Sequence, residues 1–241
     1  VLMVGSVRYF VNAPYRFYEL CCSAIARFYS SPTPLLRYHK IIQCSPGDST
    51  SMTQVPLLTP PSTDQRIVYS SITWEQFKLI QTGFANSPGI RLAYYNSTIE
   101  IIMPGREHEM FSRLIGFLIG LFCLENAIEF EPTGSMTQER EGVVSAQADE
   151  SYCFGSSKSI PDLVIEVVVT SGDTSKLKRY QALGVPEVWF WQDGLFSLYR
   201  LRDNHYDKII RSEIPELATL SIDLLTRCVL MAQTSRLEAA K

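Results

Sequence analysis

Apolar and polar positions divide this chain into segments of different period. From Ile160 to Val169 the run reads Ile-Pro-Asp-Leu-Val-Ile-Glu-Val-Val-Val, apolar and rich in β-branched residues. Such a run, opened by Pro161, predicts a strand buried on both faces. Glu166 stands in the middle of it. An ionised carboxylate costs several kcal/mol to bury unless something pairs with it. The pattern therefore predicts a cation or a metal beside Glu166.

The surrounding text can be read outward from that strand. Between Glu107 and Glu125, the residues Met110, Phe111, Leu114, Ile115, Leu118, Leu121 and Phe122 recur at helical spacing. Ser112, Gly116 and Gly120 lie four apart on this helix, which suits a close approach to a sheet. Residues 128–133, 149–154 and 162–169 are expected as strands, with 134–148 polar and irregular. Thr170-Ser171-Gly172 is expected as a turn. Asp173 to Leu183 is expected as a helix with Leu177, Tyr180 and Leu183 inward, stopped by Gly184. Glu187 to Trp191 is a further strand, and a helix between it and strand 162–169 implies a parallel crossover. The order over 106–191 is thus helix, strand, strand, strand, helix, strand.

Upstream, Thr73-Trp74-Glu75-Gln76 fits a capping box that starts a short helix ending at Gly83. Arg91–Tyr95 and Thr98–Met103 flank Asn96-Ser97, a two-residue hairpin signal. Downstream, Asp193-Gly194 turns into a strand over 195–200, and 206–210 can add another. Residues 223–240 are expected as one amphipathic helix.

The first 51 residues show no sustained period of 2 or 3.6. Leu20–Ala26 has the length of a signal h-region but lies late and is poorly flanked. The expectation is an upstream extension without a fold over 1–51, then a Pro-rich extended arm over 52–69 containing Pro56, Pro60 and Pro61, then one domain over 70–241. Met52 is taken as the start of the functional polypeptide.

Composition changes this picture little. A chain of 241 residues with 46% hydrophobic and 20% charged residues is ordinary for a globular protein. A net charge of -3 carries no overall footprint of a nucleic-acid binder, although a local basic groove can sit within an acidic total. The six cysteines show neither metal spacing nor a compact disulfide framework. Cys123 and Cys153 read as small core residues of a reducing, cytoplasmic compartment. No apolar run reaches the ~18 residues of a membrane span.

Candidate chemistry centres on two acids. Asp149 opens one strand and Glu166 lies inside the next, so both carboxylates can meet on one Mg²⁺, which takes oxygen ligands. The plainer alternative is a loop carboxylate and a buried ion-pair member. Asp162 shares a face with Glu166, but four residues of strand span ~13 Å. It is expected as a strand-entry residue or as a partner for a nearby backbone N–H. Lys176 and Lys178 lie on the first turns of the following helix, from which a lysine can reach back to Glu166. There it would stabilise charge on an attacked phosphate or orient a water; on its own, such a lysine is a solvated surface residue. His108 heads the long helix between Glu107 and Glu109 and gains a role only if that helix end abuts the two acids. Tyr152, Tyr180, Trp189 and Trp191 read as core or pocket wall. No Gly-rich phosphate loop, G-x-S-x-G or Cys/His spacing occurs, which removes support from nucleotide hydrolases, serine hydrolases and zinc enzymes.

Four blocks in order resemble the Uma2 family of restriction-endonuclease-like proteins, a type abundant in cyanobacteria. They are Glu107-His108-Glu109, Ala148-Asp149-Glu150-Ser151-Tyr152, Ile160 to Val168, and Lys176 to Trp189. The resemblance covers about residues 70–200. It implies a PD-(D/E)XK nuclease core of the α/β (α+β) class, helix-strand-strand-strand-helix-strand, here preceded by a β-hairpin. It also implies metal-binding roles for Asp149 and Glu166, a catalytic lysine at Lys176 and a site histidine at His108. The third motif reads Glu166-Val167-Val168 instead of acid-x-Lys, so its lysine must come from the helix.

The resulting expectation is a Mg²⁺- or Mn²⁺-dependent DNA endonuclease, with a homodimer possible through 223–240 and the exposed hairpins. A catalytically silent nuclease-fold module would instead point Lys176 to solvent and pair Glu166 with an arginine. A hydrolase for another substrate would show a deep apolar pocket.

Overall fold

A computed structural model describes residues 63–169 and 175–240. The expectations for residues 1–51, for the arm up to residue 62 and for the turn at 170–172 lie outside the described residues.

Two sheets organise the domain. The first runs in the order β1 (Gln65–Ser70), β3 (Thr98–Met103), β2 (Arg91–Tyr95), β6 (Val144–Gln147), β5 (Thr137–Arg140). The arm expected through residue 69 thus ends as an edge strand. The hairpin of β2 and β3 turns at Asn96 and Ser97, with φ of 49° and 57°. Two consecutive positive φ values give the twist that matches paired strands, which is why Asn at this position signals a hairpin. Helix α1 (Trp74–Gly83) covers this sheet and buries Phe77 against Leu92, Tyr94 and Ile99. Its capping box forms as the spacing predicts: Thr73 Oγ1 accepts from the Gln76 N–H, and the Gln76 side chain accepts from the Thr73 N–H.

The second sheet runs in the order β11 (His205–Ile209), β10 (Leu195–Arg202), β9 (Glu187–Gln192), β8 (Leu163–Val168), β7 (Glu150–Phe154), β4 (Phe130–Pro132). β8 and β9 are parallel, joined through α3 (Ser175–Leu183), and the other neighbours are antiparallel. All six residues of β8 are buried, as its composition predicts. The period of two divides them. Leu163, Ile165 and Val167 join the core beneath α2 (Arg106–Glu125) and α4 (Ile222–Ala232). Val164 and Val168 pack on the opposite side with Tyr180 and Leu183 of α3 and with Val144 and Ala146 of β6. Glu166 shares that second side.

α2 begins at Gly105, which has no side chain to cap it. Asp64 supplies the cap from a distance: its Oδ1 accepts the Gly105 N–H at 2.8 Å. Glu107 and Glu109 in the first turn suit the helix dipole. The small residues do allow close approach. A Cβ on Gly116 would lie 3.1 Å from the Glu150 carboxylate, whereas one on Gly120 would make ordinary contact with Phe130 at 3.8 Å. Ile115 and Ile119 are fully buried. Burial of each stabilises the fold by about 1.5–3 kcal/mol, and truncation to Ala costs about 2–5 kcal/mol.

Two expectations need correction. The polar stretch 134–148 is not irregular: it contains β5 and β6, joined through Gly142 at φ 73°. Residues 223–240 are not one helix: α4 ends at Ala232, and α5 (Arg236–Ala239) restarts after a Ser235 cap whose Oγ accepts from the Glu238 N–H. Cys123 and Cys153 are buried free thiols, as expected.

Candidate active site

Asp149 lies where the chain passes from β6 of the first sheet to β7 of the second. Glu150 is opposite Ile165 in the antiparallel register, so one further step sets Asp149 beside Glu166. Its Oδ2 accepts the Val167 N–H at 2.6 Å. Both acids line one small cavity with a free volume of about 10 Å³, together with Arg91, Lys176, Arg179 and Tyr180. That is room for about one water-sized sphere. It is not the deep apolar pocket expected of a hydrolase for another substrate.

Glu166 is held on both oxygens. Lys176 Nζ donates to Oε2 at 2.5 Å, and the Tyr180 hydroxyl donates to Oε1. Lys176 and Tyr180 are four residues apart, so one face of α3 carries both. Burial alone would raise the Glu166 pKa, but Lys176, Arg179 and the Tyr180 hydroxyl outweigh it and hold the carboxyl below its ordinary value. Burial and the same carboxylate push the Tyr180 hydroxyl well above its ordinary value, which keeps it a donor. Lys178, the other helix lysine, is exposed.

Asp149 is held as firmly. Arg91 pairs with its Oδ1, and His108 Nε2 lies 2.8 Å from the same oxygen. His108 Nδ1 is 2.9 Å from Asp64 Oδ2. Arg91 also reaches Glu109 Oε1 at 2.6 Å and His108 Nε2 at 3.2 Å. Burial holds the His108 pKa below its ordinary value, with Arg91 and Lys176 adding to this against the pull of Asp64. A ring with one proton donates to only one of its two carboxylates, and Arg91, which reaches both Asp149 Oδ1 and His108 Nε2, supplies a donor at this junction for either tautomer.

The structure therefore brings Asp149, Glu166 and Lys176 around one cavity and joins His108 to it through Asp149. Asp162 stands apart: its Oδ2 accepts the Phe154 N–H at 2.8 Å, and Lys158 pairs with it at 2.6 Å. Tyr180, expected as core or pocket wall, is buried and lines the cavity; its further part, the hydrogen bond to Glu166, has a signal in the four-residue spacing from Lys176. Two participants are not among the candidates from sequence. Arg91 was only a strand residue, and Asp64 lay in the arm; neither carried a local signal.

Among the described residues no group of three or more His, Cys, Asp or Glu side chains is gathered to hold a metal. The donor set is two carboxylates. Mg²⁺ is commonly held by one or two carboxylates, with waters and substrate phosphate completing its shell, so this pair fits such an ion.

A mixed α+β domain with two acids on neighbouring strands, one just before β7 and one within β8, and a lysine on the crossover helix is consistent with a restriction-endonuclease-like fold. The sequence pattern of the Uma2 family, described as "Putative restriction endonuclease", matches residues 74–227. The chain belongs to the Uma2 family. Comparison with curated proteins finds no match.

Proposed function

We propose that this protein is a metal-dependent endonuclease that hydrolyses DNA phosphodiester bonds, with its active site at Asp149 and Glu166. The observation that carries the reading is the convergence of both acids and Lys176 on one cavity about the size of a water molecule. Asp149 and Glu166 would hold Mg²⁺ or Mn²⁺, which when bound supplies a Lewis acid for the phosphate and lowers the pKa of a water. Tyr180 fixes the Glu166 carboxylate through its hydroxyl. Lys176, beside Glu166, brings an ammonium to the charge that develops on the attacked phosphate. It takes the part of the lysine whose motif position is filled by buried Val168. Arg91 and His108 orient Asp149, and Asp64 in turn orients His108.

One observation favours a second reading, a silent module that binds nucleic acid or a protein partner. All four oxygens of the acid pair already have a donor within the protein. The test is cleavage of supercoiled and linear DNA by the full chain with Mg²⁺ or Mn²⁺, wild type against Glu166→Gln, with melting curves showing that both fold. The endonuclease reading expects metal-dependent cutting that falls at least about a hundredfold in the variant. Well-folded wild-type protein that cuts no DNA would establish the silent module instead.

A further inference from the structure

A groove leads away from the acid cavity. Its first part, about 740 Å³, shares Arg91 and Gln147 with that cavity and continues past Arg106 and Arg113 at the start of α2. The second part, about 580 Å³, shares Arg106 and Arg113 and ends at Arg236 of α5. Arg106 and Arg113 lie seven residues apart, two turns of one helix face. Ala239 of α5 packs on Leu114 of α2, which brings Arg236 alongside.

The charge of this groove opposes that of the chain. Its charged walls are four arginines and one glutamate, in a chain of net charge -3. The glutamate, Glu109, is already paired with Arg91 at 2.6 Å. Arg106, Arg113 and Arg236 are exposed, and none of them forms an ion pair among the described residues. The field of Arg113 does reach Glu150. In the second part, the lining beyond the arginines and Glu109 is apolar: Met110, Leu114 and Phe117, with Phe117 49% exposed. A duplex offers its backbone to a protein groove and keeps its bases stacked inside. A groove with cations for phosphates and an uncovered aromatic for a base is the chemistry of single-strand binding.

We infer that this groove is the track for a single-stranded segment of DNA, with Arg106, Arg113 and Arg236 on phosphates and Phe117 stacked on a base. The inference rests on the endonuclease reading only in that the strand would lead to the acid pair past Arg91.

The test is fluorescence anisotropy of labelled oligothymidine, and of a duplex of equal length, titrated with the full chain in EDTA at several salt concentrations. Oligothymidine binds at least about tenfold more tightly than the duplex. Each of Arg106→Ala, Arg113→Ala and Arg236→Ala lowers the slope of log affinity against log salt by about 0.7. Phe117→Ala weakens binding about tenfold and leaves the slope unchanged. The four positions are exposed, so the variants keep the fold, and circular dichroism melting checks this. The groove is overturned if the triple arginine variant binds with wild-type affinity and slope. A preference for duplex, Phe117→Ala binding like wild type, or no DNA binding at all overturns it equally. Cleavage with Mg²⁺ is measured in parallel. Wild-type protein that binds in this pattern but does not cut overturns the endonuclease reading alone. Protein that cuts but binds independently of these four residues overturns the groove alone.

Discussion

Gln138 has both its side-chain nitrogen and its oxygen buried without a hydrogen-bond partner. It occupies a position on β5, opposite Ala146, where the strand pattern calls for an apolar side chain. An unsatisfied buried amide costs about 1–3 kcal/mol. Gln138→Met should therefore raise stability by about 1 kcal/mol in urea unfolding. A loss would mean that the amide is satisfied in solution. At the same scale, Asp149, Glu166 and Lys176 could be read from the sequence because a buried carboxylate demands a partner and a strand–helix order says where to look. Asp64 could not. Its role depends on a contact with His108 across 44 positions of chain, and no local pattern encodes that distance.

The elements show the same division. Helices and strands with an apolar stripe were predictable within a few residues. β5 and β6 were not: β5 is an edge strand with one exposed side and Gln138 on the other, and β6, though interior, is only four residues long, too short for its period to stand out. The break between α4 and α5 falls at Gln233–Ser235, where the helical period continues and only the Ser235 cap signals a restart. Ties between elements were equally hidden. Glu100 of β3 joins Arg66 of β1 to Arg179 of α3, the latter at 2.5 Å. Burial raises the Glu100 pKa, but Arg179, Lys176 and Arg66 outweigh it and hold the carboxyl below its ordinary 4.5. A lowered folded pKa contributes stability that is full above the unfolded value and is lost as pH falls through the folded one. Glu100→Gln should cost on the order of 3 kcal/mol at neutral pH, since it leaves cations unpaired. Urea unfolding from about pH 7 to about pH 3 should show the gap between wild type and variant closing only below about pH 4.5.

For the whole molecule, the candidate site belongs to neither sheet. Glu166 comes from the second sheet, Arg91 from the first, and Asp149 from the residues between them. His108 stands on a helix whose first turn is capped by Asp64, ahead of the first strand. This last contact bears on how the protein should be cut for experiments. A fragment trimmed to the family match at residue 74 discards Asp64 and all of β1, and one trimmed to the domain start expected at 70 discards Asp64 and all of β1 but Ser70. Asp64→Ala alone, which strips both the cap of α2 and a hydrogen bond of His108, should lower stability by about 1.5–3 kcal/mol in thermal or urea melts. A trimmed fragment loses this anchor together with an edge strand, and one ending at residue 227 also loses α5 and Arg236. Inactivity in such a fragment would reflect the scissors and not the intact protein.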